Sequence, residues 1–297
     1  MKKWMISLGI LIGMTAISFA QNELSPFVGT TTNASVTEAS TQVEVAIKDA
    51  GFDVVGSYDV AGHSDLKVFC FSRDDLKATT AKYKDRGALA SVLKIGVRQE
   101  AGKTEVSLLN PIYIFHAYFG ENFKDQANAL NKIDQDAKNI LVNNFGSLVS
   151  FGGSLEIDDL EEYHYKMMMP YFSDPTELEE YDSFEEGLAF IQKKIAASPK
   201  EFKLVYQQID QENKTAVFGI GLLNPETGEG HFLPIIGERH IAAMPYDIIL
   251  QGKTVTMLHG KYRIALYWPE LSMGTFMKIM GTPGDIEDAM KSITEKD

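Results

Sequence analysis

The stretch that decides the fold is VSLLNPIYIFHAYF at residues 106–119, because it returns as VTMLHGKYRIALYW at residues 255–268. The two segments align without a gap. The identical pairs are Val106/Val255, Leu109/Leu258, Tyr113/Tyr262 and Tyr118/Tyr267. An internal repeat shows how a chain is built before any single element is assigned. This one predicts a polypeptide made of two related halves.

The similarity continues upstream of the repeated segment at a nearly constant spacing of 148 to 150 residues. The further matches, in the same order, are Gly102-Lys103-Thr104 with Gly252-Lys253-Thr254, Val68-Phe69 with Val217-Phe218, Phe52 with Phe202, and Ser35/Glu38 with Ser183/Glu186. The last pair predicts two capping boxes, in which a serine and a glutamate satisfy backbone amides at a helix start. Chance similarity between amphipathic segments would explain one match but hardly five in one order. We infer an internal duplication.

Hydrophobic periodicity and turn residues give each half the same order: a strand, a helix, several strands and a closing helix. The predicted fold class is therefore α+β, with two similar domains, each a mostly antiparallel sheet with helices packed on it, related by internal duplication. The predicted boundaries are residues 1–20 for a signal peptide, 21–146 for the first repeat, 147–162 for a linker and 163–297 for the second repeat.

The start of the second repeat is expected to be a strand from Tyr163 to Phe172. Its Met167-Met168-Met169 run is expected to fill the core rather than to bind a soft metal, because methionine adapts to irregular core gaps. The acidic run at residues 174–186 indicates a solvated surface that leads into a helix. Acidic side chains are favoured at a helix N-terminus by the helix dipole.

The N-terminus has the pattern of a secretory signal peptide. Lys2 and Lys3 precede an apolar run at residues 4–19, and the small residues Ser18 and Ala20 precede the expected cut. A retained membrane anchor is the alternative, but this run of about 16 residues is shorter than the roughly 20 that span a bilayer. We expect cleavage after Ala20, a periplasmic or secreted protein, and no integral membrane segment after cleavage.

The net charge limits which partners are expected, and the cysteine count limits which covalent cross-links can stabilise the fold. Removal of residues 1–20 changes the formal net charge from -13 to -15, so nucleic acid is not an expected partner, since phosphate binding requires a basic face. Cys70 is the only cysteine, which excludes an intrachain disulfide. Its apolar surroundings, Val68-Phe69-Cys70-Phe71, predict a buried and inert thiol rather than a nucleophile.

The spacing of chemical groups supports no catalytic residues, metal or cofactor. The six histidines make no i, i+4 pair and no His-x-His; they are His63, His116, His164, His231, His240 and His259. A spatial cluster of His231, His240 and His259 is the alternative to ordinary surface histidines. The sequence has no Gly-x-Ser-x-Gly elbow and no phosphate-binding Gly-x-x-x-x-Gly-Lys loop.

Four residues are weak candidates for ligand binding: Asn110, Tyr113, His116 and Tyr262. Tyr113 and Tyr262 are retained at equivalent places and could line a groove between the two sheets. The alternative is core or interface packing, with the hydroxyl groups at the rim. Asn110 precedes a proline and could instead be an ordinary turn residue.

Two local patterns resemble the domain-of-unknown-function family numbered 302, a small α+β module. The first is Gly102-Lys103-x-x-Val106-Ser107-x-x-Asn110-Pro111-x-Tyr113, similar to that family's strand, Asn/Pro turn and aromatic residue. The second combines Phe218-Gly219, Asn224-Pro225 and Met244-Pro245-Tyr246-Asp247-Ile248-Ile249-Leu250, similar to its glycine-asparagine-proline stretch and proline-led strand. The resemblance implies two tandem copies of a strand-helix-sheet-helix unit, and it implies no catalytic residues.

Each half departs from the family pattern where the other half keeps it. His259-Gly260 replaces Asn110-Pro111, and Val92 stands where the first half would need the counterpart of Pro245. A single site shared by both halves is therefore not expected. The resemblance leaves the ligand and the oligomeric state open.

The leading functional hypothesis is a secreted or periplasmic, non-catalytic module that binds a small molecule or a protein. The second hypothesis is an enzyme whose site combines Tyr113, His116 and acidic residues at the inter-domain groove. The third is a structural or assembly role in the cell envelope. The acidic surface and the duplication motivate the first hypothesis, together with the lack of catalytic spacing.

Overall fold

The computed structural model describes residues 22–164 and 169–296. The predicted signal peptide, residues 1–20, lies outside these ranges, as do Met167 and Met168 of the methionine run. Within the described ranges, no helix combines the length and the apolar character needed to cross a bilayer.

The described residues form thirteen strands and ten α-helices. The strands are β1 (Glu23–Leu24), β2 (Phe27–Thr32), β3 (Asp53–Asp59), β4 (Leu66–Ser72), β5 (Leu93–Glu100), β6 (Lys103–Leu109), β7 (Val149–Phe151), β8 (Leu155–Glu156), β9 (Thr176–Glu180), β10 (Phe202–Asp210), β11 (Thr215–Leu222), β12 (Tyr246–Gln251) and β13 (Thr254–Met257). The helices are α1 (Val36–Asp49), α2 (Asp74–Thr80), α3 (Pro111–Phe119), α4 (Ala127–Phe145), α5 (Ile157–Glu161), α6 (Phe184–Ala197), α7 (Glu229–Ile236), α8 (Gly260–Tyr267), α9 (Met273–Phe276) and α10 (Thr282–Thr294). Short 3-10 turns link several of them.

Two antiparallel sheets carry the same strand order. The first runs β3-β4-β5-β6-β2-β7 and the second runs β10-β11-β12-β13-β9, so only β7 lacks a counterpart in the second sheet as described. Helix α1 packs on α4 in the first half, and the equivalent α6 packs on α10 in the second. The predicted α+β fold class, with two similar sheet-and-helix units, is confirmed.

The pairing registers also repeat in detail. The first strand of each hairpin bulges at the same place, between Val54 and Gly56 in β3 and between Leu204 and Tyr206 in β10. A bulge inserts an unpaired residue and increases the local strand twist. Tyr58 pairs with Val68, and Gln208 pairs with Val217. Because the repeat matches Val68 with Val217, Tyr58 and Gln208 occupy equivalent positions.

The repeated segment folds in the same way twice, as a strand followed at once by a helix. β6 leads into α3, which has Pro111 in its first turn, and β13 leads into α8. Proline is tolerated in a first helical turn because no backbone donor is needed there. Asn110 and His259 therefore stand at the N-cap positions of equivalent helices.

The predicted helix caps are present, with one difference. Ser35 and Glu38 form a complete capping box at α1. At α6 the side chain of Ser183 accepts from the amide of Glu186, but the Glu186 carboxylate accepts from the amide of Asp182. The second cap therefore satisfies the same kind of orphan amide one residue earlier in the chain.

The predicted first strand of the second repeat was misplaced. The strand is β9, which lies inside the acidic run and pairs with β13 at the edge of the second sheet. Edge strands tolerate charged residues, which discourage pairing with another chain. Leu178 is the buried residue of β9, and it alternates with charged neighbours as in a strand with one buried face. The prediction missed this pattern because acidic residues dominate the segment.

One hydrophobic core extends through both halves, from Phe27 to Ile293. Cys70 is fully buried in β4, and burial raises the pKa of its thiol well above the usual range. A thiol in that state is not a nucleophile at neutral pH.

Candidate functional site

The two predicted tyrosine candidates join the halves by reciprocal hydrogen bonds. Tyr113 in α3 donates to the carbonyl of Leu266 at 2.7 Å, and Tyr262 in α8 donates to the carbonyl of Ala117 at 3.1 Å. Because Tyr113 matches Tyr262 and Ala117 matches Leu266 in the repeat, the contact is the same one made twice. Such reciprocity is the signature of a two-fold interface.

The pseudo-two-fold axis runs between further equivalent residues. The hydroxyl oxygens of Tyr118 and Tyr267 lie 2.6 Å apart, each hydrogen-bonded to its own counterpart. Burial raises the pKa of both hydroxyls, in the case of Tyr267 to about 12. These aromatic residues therefore act as neutral hydrogen-bonding groups of the interface.

A buried ion pair lies across the same axis. The ammonium of Lys94 is 2.5 Å from the carboxylate of Asp247, and it also donates to the carbonyl of Pro245 at 2.9 Å. Lys94 pairs with Cys70 in the first sheet and Asp247 is paired with Gly219 in the second, so the two charges hold equivalent positions. Their side chains are 4% and 13% exposed, which makes the pair part of the inter-domain core.

His116, another of the four predicted candidates, lies apart from the interface tyrosines and from the Lys94–Asp247 ion pair. Its Nδ1 is 2.9 Å from the carboxylate of Glu161 in α5, and its ring stacks on Phe123 with centroids 3.9 Å apart. The histidine thus ties the segment after β8 to the end of α3.

Asn110 lines a cavity of about 550 Å³ beside β1 and the turn that follows β7; we name it the Asn110 cavity. Its side-chain amide donates to the carbonyl of Ser25 at 2.7 Å. The Oδ1 atom is buried and has no hydrogen-bond partner among the described residues. Buried polar atoms are nearly always paired with protein, water or ligand, so this acceptor lacks the donor that is usually found for such an atom.

His240 approaches the Asn110 cavity from the second half. The ring is buried, and neither nitrogen has a hydrogen-bond partner within the described part of the chain. Its Nε2 is 3.7 Å from the carboxylate of Glu270, which lines the cavity, and this distance exceeds a hydrogen bond. A Cβ at Gly152 would lie 3.2 Å from Nε2, so the glycine lets the turn pack closely on the buried ring.

The charge state of His240 follows from its surroundings. Burial lowers its pKa to about 4, and the nearby Arg239 and Arg98 charges lower it further in the same direction. The ring packs edge-on to Phe27, with centroids 4.9 Å apart, and lies 5.5 Å from Trp268. At neutral pH the imidazole is therefore uncharged, with one donor and one acceptor nitrogen.

Arg239 supplies a cation at the wall of the Asn110 cavity. Its guanidinium lies 3.9 Å from the ring centre of Phe151, and Nε donates to Glu105 at 2.7 Å. Glu105 is buried and also accepts from Arg98 at 2.8 Å, so two cations share one carboxylate. The remaining guanidinium N–H groups of Arg239, whose side chain is 45% exposed, suit a carboxylate ligand.

A second cavity, of about 460 Å³, lies between α2 and the second sheet; we name it the Gln208 groove. Gln208 donates to the hydroxyl of Ser91 at 2.8 Å, and its buried Oε1 has no partner among the residues described. At the equivalent place on the other side of the axis, Tyr58 fills the space and donates to Glu229 at 2.8 Å. The groove is thus the open member of a pair of equivalent clefts.

The sequence named one residue of the Asn110 cavity and missed the others. Asn110 was found because it precedes a proline in a repeated segment. His240 was noted among three histidines that could cluster, but His240 meets phenylalanine and tryptophan rings. Among the described side chains, no group of three or more His, Cys, Asp or Glu is arranged to hold a metal ion. Arg239 carried no signal in the sequence, since its partners come from the other half.

No family model matches the chain, and no curated protein matches it significantly. Among solved structures, the chain is similar to the crystal structure of an uncharacterized conserved protein, DUF302, from Bacillus stearothermophilus. The sequences are 13% identical, the match covers 40% of this chain and 98% of that chain, and the TM-score is 0.36. A likeness of that extent establishes neither family membership nor function.

Proposed function

We propose that the protein is a non-catalytic binding module that holds a small polar molecule in the Asn110 cavity. The observation that carries the proposal is the buried Oδ1 of Asn110, which no described residue hydrogen-bonds. Leaving such an acceptor unpaired costs about 1–3 kcal/mol, and a donor on a bound ligand would remove that cost. The cavity, about 550 Å³, is within the usual range for small-molecule sites.

The groups around the cavity favour a ligand that carries both a hydrogen-bond donor and a carboxylate. Asn110 Oδ1 accepts from the donor, and Arg239 offers N–H groups to the carboxylate. Glu270 at the rim favours an ammonium rather than a second anion. We therefore propose small amino acids and hydroxy acids as the ligand class.

The setting of the module is part of the same proposal. The N-terminal pattern supports a periplasmic or secreted protein. The reciprocal tyrosine contacts support descent from a homodimer of a module similar to the domain-of-unknown-function family numbered 302, with the two copies now fused. In such a pseudo-dimer, a site that combines Asn110 with Arg239 draws on both halves.

The proposal is tested by native mass spectrometry of the purified protein against a panel of amino acids and hydroxy acids. We expect at least one adduct of one ligand per chain. N110L removes the acceptor, and R239M removes the carboxylate partner while keeping a long side chain over Phe151. Both should abolish the adduct, with folding checked by circular dichroism.

Q208L is the matched control, because it removes the equivalent kind of unpaired amide oxygen from the Gln208 groove. It should leave the adduct intact. Loss of the adduct in Q208L with retention in N110L and R239M would move the site to the Gln208 groove and overturn the proposal. A wild-type protein that binds no member of the panel would also count against it.

A further inference from the structure

Three methionine side chains are exposed on one short helical segment after α8. Helix α9 continues directly into a 3-10 turn, Met277–Ile279. Met273, Met277 and Met280 are 58%, 56% and 60% exposed. Eight large hydrophobic side chains are exposed in the described ranges, and no other run of eight residues there holds three of them.

The spacing places the three thioethers on one face. At 3.6 residues per turn Met277 lies about 40° around the axis from Met273, and at three residues per turn of the 3-10 segment Met280 lies in line with Met277. The neighbouring Ile279 is buried and Phe276 packs against the core, so the segment is anchored by its other side. Methionine has three rotatable bonds, which lets the three sulfur atoms converge on a point above the helix.

The exposed surface around the methionines is not continuously apolar. Gly274, Lys278 and Gly281 are exposed between and beside them. A protein-binding patch is usually contiguous and larger than a few hundred Å². What the three side chains share is the chemistry of the thioether sulfur, a soft donor that selects Cu(I) over harder metal ions.

We propose that Met273, Met277 and Met280 form a trigonal thioether site for Cu(I). The three ligands are neutral, so the site keeps the positive charge of the ion. This charge is favoured by the formal net charge of the protein, -13. The site is independent of the Asn110 cavity and needs no ligand from it.

The test is a titration of the full mature chain with Cu(I), under anaerobic and reducing conditions, against the coloured complex of Cu(I) with bicinchoninate. Wild type should remove one Cu(I) per chain from that complex. The triple variant M273L/M277L/M280L should bind at least tenfold more weakly. Leucine keeps the volume at exposed positions, so the fold should be unchanged by circular dichroism.

Two controls separate this site from other methionines. M257L/M290L changes two buried methionines and should leave the affinity for Cu(I) unchanged. M167L/M168L/M169L removes the other methionine run and should also leave it unchanged. Wild-type affinity in the M273L/M277L/M280L variant would overturn the proposal, and so would a wild-type protein that takes no Cu(I) from bicinchoninate.

Discussion

Some equivalent positions on the two sides of the pseudo-two-fold axis carry different residues. Comparing them separates the features that both halves keep from the features found in one half. Asn110 and His259 both stand at the N-cap of an equivalent helix. His259 caps its helix by accepting from the amide of Lys261 at 3.2 Å, whereas Asn110 bonds Ser25 and leaves Oδ1 unpaired. Both halves keep the fold, and Asn110 lines a cavity that also includes Arg239 and Glu270 of the second half.

The difference between the two ends has a structural cause. Strand β7 and the turn at Gly152 and Gly153 extend the first sheet and form one wall of the Asn110 cavity. Both glycines have positive φ, which suits a tight turn that other residues would strain. The second sheet as described has no equivalent strand beside β9. The segment that joins the two halves thus adds an asymmetric cavity wall to an otherwise two-fold arrangement of sheets.

The largest expected effect comes from breaking the charge pair on the axis. D247N or K94M leaves a buried charge without its partner, which should lower the free energy of unfolding by about 3–5 kcal/mol. Because the two positions are equivalent, the exchange K94D/D247K restores a pair and should recover more than half of that loss. Urea unfolding of the four proteins measures this. An exchange variant no more stable than either single variant would contradict the two-fold equivalence.

The free energy of unfolding should depend on pH through Glu229, which lies in the cleft that Tyr58 fills. Burial raises its pKa to about 7 from 4.5, although the bond from Tyr58 opposes the shift. As the pH rises through this window, the unfolded chain loses the proton before the folded one does. Stability from Glu229 is therefore complete below pH 4.5 and is lost by about pH 7, a change on the order of 3 kcal/mol.

E229Q isolates this effect. His240, with its pKa lowered to about 4, contributes stability that is lost as the pH falls, so the two groups oppose each other between pH 4.5 and 6.5. The quantity to measure is therefore the unfolding free energy of E229Q minus that of wild type, at pH 5 and at pH 7.5. We expect it to rise with pH. A difference independent of pH would mean that Glu229 is ionised throughout.

The smallest effect should distinguish the two helix caps. H259A removes the cap of α8 and should cost about 1 kcal/mol of unfolding free energy. H259N introduces the residue found at the equivalent Asn110 position and should retain wild-type stability, since asparagine is a strong N-cap. Thermal unfolding followed by circular dichroism measures both variants. Equal losses in H259A and H259N would show that the imidazole packs rather than caps.

Local signals predicted most of the fold. Strand alternation, capping serines and turn glycines act over a few residues, so the order of elements in each half followed from the repeat. The acidic edge strand β9 was missed because its charged residues suit both a solvated helix start and an exposed sheet edge. Contact with β13 decided between these two conformations.

The sequence by itself determined that one α+β unit occurs twice, because burial periodicity and turn chemistry are written locally and were copied together. Only the tertiary structure decided where a site could form. Asn110 and Arg239 line one cavity because the two sheets dock about an axis and the joining segment closes one end. That approach depends on side-chain packing between residues far apart in the chain, such as Lys94 with Asp247, which no local pattern records.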